Sequence, residues 1–235
     1  MIQVDITLFY REEGKGIPFV LLHGNGDNGN YFKNQINYFS KNYRMIAVDT
    51  RGHGNSPRGT YPFTMDQFAE DLNYFLKVHR MSNIILLGFS DGANIAIKYA
   101  LKYQDNIRAL ILNGADLDTK GVKRSIQIPI EIGYRLAKLG KSPEAKKKAE
   151  ILGLMVNEPN IKPEELHIIK VPTLVLVGTN DLIKDKHSKL IKDNIPGAEL
   201  SVIEGDHFIA SKNPDEYNKV VEKYLKKVLR WIIWI

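Results

Sequence analysis

The chain contains no cysteine, which excludes disulfides, thiolate metal sites and a cysteine nucleophile. Its histidines show no H-E-x-x-H or related spacing, so no metal site is expected. Neither Gly14-Lys15-Gly16 nor Gly24-Asn25-Gly26 completes a G-x-x-x-x-G-K phosphate loop, and no cofactor is implied. The opening Met1-Ile2-Gln3-Val4-Asp5-Ile6 lacks both a basic and an apolar leader region. A cytoplasmic location is therefore the default expectation.

What is present reads as an ordinary globular chain. With 235 residues, 43% hydrophobic and 26% charged, it suits one large α/β domain with room for a small insertion. The formal charge is +6. Lysines cluster at Lys146-Lys147-Lys148, at Lys184, Lys186, Lys189 and Lys192, and at Lys219, Lys223, Lys226 and Lys227. No nucleic-acid motif accompanies them and acidic residues are interleaved. Solvated helix faces are the expected reading, with no nucleic-acid partner and no membrane contact.

Short apolar runs alternate with helical patterns, which implies βαβ units and a mostly parallel sheet covered on both faces. Val4–Tyr10 and Ile17–Leu22 flank Glu12-Glu13-Gly14-Lys15-Gly16 and read as a hairpin-like opening. Met45–Val48, Ile84–Leu87, Ala109–Leu112, Thr173–Val177 and Leu200–Ile203 are the candidate parallel strands. Helices are expected at Phe32–Phe39, Met65–Val78, Ala93–Tyr103, Lys186–Asn194 and Pro214–Ile235. Between Asp118 and Lys170 no strand is evident, only helical patterns at Ile130–Leu139 and Ala145–Val156 punctuated by prolines. So long an interval is not one loop. It reads as a helical cap over residues 119–170, with 1–118 and 171–235 forming the core.

Gly88-Phe89-Ser90-Asp91-Gly92 lies directly between the run Ile84–Leu87 and the helical pattern beginning at Ala93. A G-x-S-x-G at a strand-to-helix turn forces the serine into a strained conformation with its hydroxyl raised above the sheet. A helix N-terminus there favours developing negative charge. A serine hydroxyl needs a base, and the base needs a carboxylate to orient it. Asp181 follows the strand Thr173–Val177 and His207 follows Leu200–Ile203. The order Ser, Asp, His is the one expected with such an elbow. Asp116, past Ala109–Leu112, is the rival acid. The tetrahedral intermediate needs N–H donors: Asp91 supplies one, and Asn25, in His23-Gly24-Asn25-Gly26, is the choice for the other through its backbone or its side-chain amide.

These pieces resemble the α/β-hydrolase superfamily in its small, cap-bearing branch. The matching segments also include Leu21–Gly26, Asp49–Ser56, Gly178–Asp181 and Gly205–His207, and they span almost the whole chain. The resemblance implies an α/β-hydrolase fold with Ser90 as nucleophile, His207 as base, Asp181 as acid, and the N–H groups of Asn25 and Asp91 as the oxyanion hole. It gives His23 and His53 structural roles in their loops.

His79 and His187 are expected at the surface of amphipathic helices, and Asp206 to point away from His207. The expected activity is hydrolysis of a small carboxylic ester or thioester. C–C bond hydrolysis, a cofactor-free lyase reaction and a non-catalytic receptor are the alternatives. Among nine apolar cap positions (Ile126, Ile128, Ile130, Ile132, Leu136, Leu139, Leu152, Leu154 and Met155), some are expected to supply walls that select the acyl chain. The closing Trp231-Ile232-Ile233-Trp234-Ile235 is too short to span a bilayer; a homodimer contact is the first expectation for it and a membrane-surface contact the alternative.

Overall fold

The computed structural model describes residues 4–230, so the expected tail contact at Trp231–Ile235 lies outside the described residues. Seven strands form one sheet: β1 (Tyr10–Glu13), β2 (Pro18–Leu22), β3 (Arg44–Val48), β4 (Ile84–Phe89), β5 (Ile107–Asn113), β6 (Thr173–Gly178) and β7 (Glu199–Ile203). Their order across the sheet is β1-β3-β2-β4-β5-β6-β7, with only β1 antiparallel.

Side chains alternate between two hydrophobic layers, as the pleat requires. Val20 and Leu22 of β2 face one layer, and Phe19 and Leu21 the other. Helices α2 (Met65–Val78), α3 (Asp91–Tyr103) and α6 (Asp185–Asn194) cover the first. Helices α1 (Lys33–Phe39), α7 (Ile209–Lys212) and α8 (Pro214–Arg230) cover the second. Buried on both faces, the parallel strands are near-continuous apolar runs.

The opening is not a hairpin. β1 pairs with β3, Tyr10 opposite Val48, and has no ladder with β2. β2 takes β3 and β4 as its neighbours because all three are apolar strands needing cover on both faces, whereas β1 reads Tyr-Arg-Glu-Glu and suits an edge. Residues 4–9, expected as part of the first strand, are not in a strand either.

Between β5 and β6 lie α4 (Arg124–Leu139) and α5 (Pro143–Asn157). Ser142 caps α5 by accepting the Ala145 N–H at 3.2 Å, with Pro143 in the first turn. α4 starts earlier than the pattern suggested and runs through Pro129. Pro129 and Ser125 are both exposed, so water can satisfy the carbonyl that the missing N–H leaves free. α5 sends Leu154 into the core layer beside Leu117 and Ile161. Five of the nine candidate wall positions, Ile126, Ile128, Ile132, Leu136 and Leu139, are instead exposed on α4, because that helix packs against α5 with its opposite side.

Candidate active site

β2 connects to β3 on one side of it, while β4, on its other side, leads away to β5. The strand order therefore reverses between β2 and β4, and the carboxyl ends at such a point are where open α/β sheets bind ligands. His23–Gly26 leaves β2 there, and Ser90 leaves β4.

Ser90 has φ 54° and ψ −122°, a left-handed conformation unusual for a side-chain-bearing residue. Its own N–H is held by the Asn113 carbonyl at 2.8 Å, and its carbonyl accepts from Ala93 and Asn94. The turn closes only because both flanking residues are glycine. A Cβ on Gly88 would meet the Gly92 carbonyl oxygen at 2.2 Å, and one on Gly92 would meet that of Leu22 at 2.1 Å.

Beyond β6 and β7, the structure brings Asp181 and His207 together. Their Oδ1 and Nδ1 atoms are 2.7 Å apart, and both side chains are buried. Burial works to raise the Asp181 pKa. The His207 hydrogen bond and charge, with the N–H groups of Ile183 (3.0 Å) and Gly178 (3.1 Å), outweigh it and hold the carboxyl below its usual range. The His207 ring lies on Phe89, centroids 4.9 Å apart, and a Cβ on Gly114 would come within 2.5 Å of its Cε1. Phe89 is in turn stacked on Tyr31 at 4.3 Å. No local pattern in the sequence announces these ring contacts.

The rival acid is engaged elsewhere. Asp116 Oδ1 accepts from the Asn94 amide at 2.8 Å, and the Asp116 N–H donates to Asn94 Oδ1. Burial, against the Asn94 hydrogen bond, and then the nearby Asp91 and Asp118 charges push its pKa to about 7. Its proton is thus held more tightly in the folded chain than in the unfolded one. The stabilising contribution of Asp116 is full below about pH 4, near the ordinary carboxyl pKa, and is lost as the pH rises through about 7. Asp116→Asn should have little effect on the melting temperature near pH 4. It should stabilise the fold at pH 8 by on the order of 2 kcal/mol, as thermal melts across that range would show. A constant difference at every pH would contradict this.

Asn25 and Asp91 also meet. The Asn25 side-chain amide donates to Asp91 Oδ2 at 2.7 Å and to the Ile151 carbonyl of α5 at 2.9 Å. Both amide hydrogens are used, which leaves the backbone N–H as the donor of Asn25 still open. Among the described residues no hydrogen bond takes up the backbone N–H of Asn25 or of Asp91. The Asp91 carboxyl is buried, and its pKa is raised to about 6 by that burial, moderated by the Asn25 hydrogen bond and the His207 charge. Its side chain ties the loop after β2 to the elbow, a role the sequence did not suggest.

His23 and His53 hold loops. His23 Nδ1 lies 2.8 Å from the Gly24 carbonyl oxygen while Nε2 accepts the Thr50 N–H at 3.0 Å, and His53 Nδ1 lies 2.9 Å from the Arg51 carbonyl oxygen. Burial lowers both pKa values, that of His53 to about 4. Asp206 takes Lys212 as its partner. His187, expected at the surface, is buried, and its Nε2 accepts the Leu117 N–H at 2.9 Å. It shares the inner face of α6 with Ser188 and Ile191, and the lysines around it disguised that face. Among the described residues no group of three or more His, Asp or Glu side chains is placed to hold a metal ion, and no helix is long and apolar enough to cross a membrane.

Comparison with known proteins agrees with this architecture. Residues 17–127 match the model of a family described as having the alpha/beta hydrolase fold. The AB hydrolase superfamily protein YisY of Bacillus subtilis is 33% identical over 230 residues, covering 83% of this chain and 86% of that protein. A proline iminopeptidase of Saccharolobus solfataricus is 28% identical, with 93% and 88% covered. Among solved structures, an esterase from Exiguobacterium antarcticum superposes with a TM-score of 0.81 at 24% identity, covering 94% of this chain and 96% of that one. The chain belongs to the alpha/beta hydrolase superfamily and is a hydrolase built on that fold.

Proposed function

We propose that this hydrolase cleaves small carboxylic esters or thioesters through an acyl-enzyme on Ser90. The observation that carries the reading is the buried Asp181–His207 pair, set past the ends of β6 and β7 in the same row of loops as a strained serine. The Asp181 carboxylate accepts the Nδ1 proton, which leaves Nε2 free to act as a base. Nε2 takes the Ser90 proton as Oγ attacks the substrate carbonyl. The carbonyl oxygen becomes an oxyanion, received by the N–H groups of Asn25 and Asp91. His207 then gives its proton to the leaving alcohol or thiol as that bond breaks. Water, deprotonated by the same imidazole, attacks the acyl-enzyme and releases the acid and Ser90.

The α4–α5 segment restricts the space above the elbow. Ile151, whose carbonyl accepts from Asn25, stands nearer the reacting groups than the exposed residues of α4. A fluorophosphonate probe is expected to label the parent protein and not Ser90→Ala. On p-nitrophenyl esters of increasing acyl length, turnover should be highest for short chains, and Ile151→Ala should move the optimum toward longer ones. Each methylene accommodated is worth on the order of 1 kcal/mol. A parent protein inert to the probe would overturn the proposal. C–C bond hydrolysis uses the same serine, and product analysis separates it from ester cleavage.

A further inference from the structure

α4 presents an apolar stripe to solvent. Ile128, Ile132, Leu136 and Leu139 follow one another at spacings of four and three, which places them on one face of the helix. They are 42%, 53%, 63% and 79% exposed. Only Gln127 and Ala137 of α4 are buried. Scattered exposed apolar residues are common, but four in a row along one helix face are not.

The stripe sits in the most basic stretch of the chain. Residues 123–148 carry eight lysines and arginines against Glu131 and Glu144. That excess of six equals the formal charge of the whole protein, +6, so the remaining residues are neutral on balance. Arg124, Arg135, Lys138, Lys141 and Lys146-Lys147-Lys148 are all exposed. Surface ion pairing takes up little of this charge: the segment's acidic residues are few, and the bidentate Arg58–Glu150 pair lies just beyond it.

We propose that the outer face of α4, flanked by Arg124, Arg135 and Lys138, docks on an anionic phospholipid surface. The four apolar side chains enter the boundary between headgroups and acyl chains while the flanking lysines and arginines meet lipid phosphates. Charge complementarity selects this occupant. A two-fold contact between copies through this face would set two segments of charge +6 against each other, whereas an anionic bilayer supplies the opposite sign across the whole patch. The sequence reading expected no membrane contact because charge runs ordinarily mark solvated faces. The exposed stripe beside them changes that conclusion. The proposal is independent of the reaction performed at Ser90.

The test is flotation of the full chain with vesicles of phosphatidylcholine alone and of phosphatidylcholine with phosphatidylglycerol, at low and high salt. The protein should float with the anionic vesicles, stay behind with the neutral ones, and be released by salt. Ile132→Glu with Leu136→Glu should reduce the bound fraction at least tenfold, as should Arg124→Gln, Arg135→Gln and Lys138→Gln together. All these positions are exposed, so the melting temperature should stay within a few degrees of the parent and turnover of a soluble ester within about twofold. Absence of flotation, or flotation that these variants do not weaken, would overturn the proposal. So would a dimer in light scattering that Ile132→Glu with Leu136→Glu dissociates, since the stripe would then belong to a second copy.

Discussion

Ser90→Ala is expected to leave the fold intact and to lower kcat on p-nitrophenyl acetate by on the order of 10³-fold or more. The hydroxyl is the only part of Ser90 that the proposed chemistry uses. The turn itself is held by backbone: the Asn113 carbonyl on the Ser90 N–H, and the carbonyl contacts that exclude any side chain at Gly88 and Gly92. Alanine keeps that backbone and its φ of 54°, so circular dichroism and melting temperature should match the parent. Ser90→Gly makes a second test of the same residue. It should be as inactive, yet more stable by on the order of 1 kcal/mol, because glycine adopts the left-handed conformation without the strain a Cβ brings. Stopped-flow and steady-state assays of the two variants would check both points. Activity within a few-fold of the parent in either would remove the nucleophile from the mechanism.

The second large effect is expected at the acid. Asp181→Asn should lower kcat by on the order of 10²- to 10⁴-fold, while Asp116→Asn should change it by no more than a few-fold. In the parent, Asp181 Oδ1 sits 2.7 Å from His207 Nδ1 and both groups are buried. An asparagine with its oxygen at the Oδ1 position still accepts from Ile183 and faces His207 Nδ1, but it sets its NH2 against the Gly178 N–H and lacks the negative charge that stabilises the imidazolium. Rotated the other way, its amide faces Nδ1 and drives the proton to Nε2, where the base should be. Asp116 bonds to Asn94 and has no contact with His207, so its neutralisation leaves the imidazole untouched. Measuring kcat for the two variants over a pH series would decide the matter. The opposite order of losses would move the acid to the end of β5.

The elements that could be read in advance are those whose signals are local. β4, the elbow and α3 lie in one continuous stretch, Ile84 to Tyr103. There an apolar run, two glycines and a helical pattern each demand the same turn. α2 was legible to its limits, Met65–Val78, because Thr64 caps it and its apolar period is clean. That Ser90, Asp181 and His207 all leave the carboxyl ends of parallel strands was legible because each lies just past an apolar run. Contacts between distant segments were not. That β1 joins β3 rather than β2 depends on which strands compete for burial on both faces, a comparison across the whole sheet. His187 looks like a surface residue among lysines until α6 is laid against the loop at Leu117. Ile128, Ile132, Leu136 and Leu139 have the spacing of a buried face, and only the docking of α4 on α5 turns them to solvent. Short local patterns were enough for the fold family and for the position of the elbow, since a strand end, two glycines and a helix start are written in adjacent residues. Which side chains meet, and which faces stay open, was left to tertiary packing, because burial is set by what each element lies against and not by its own period.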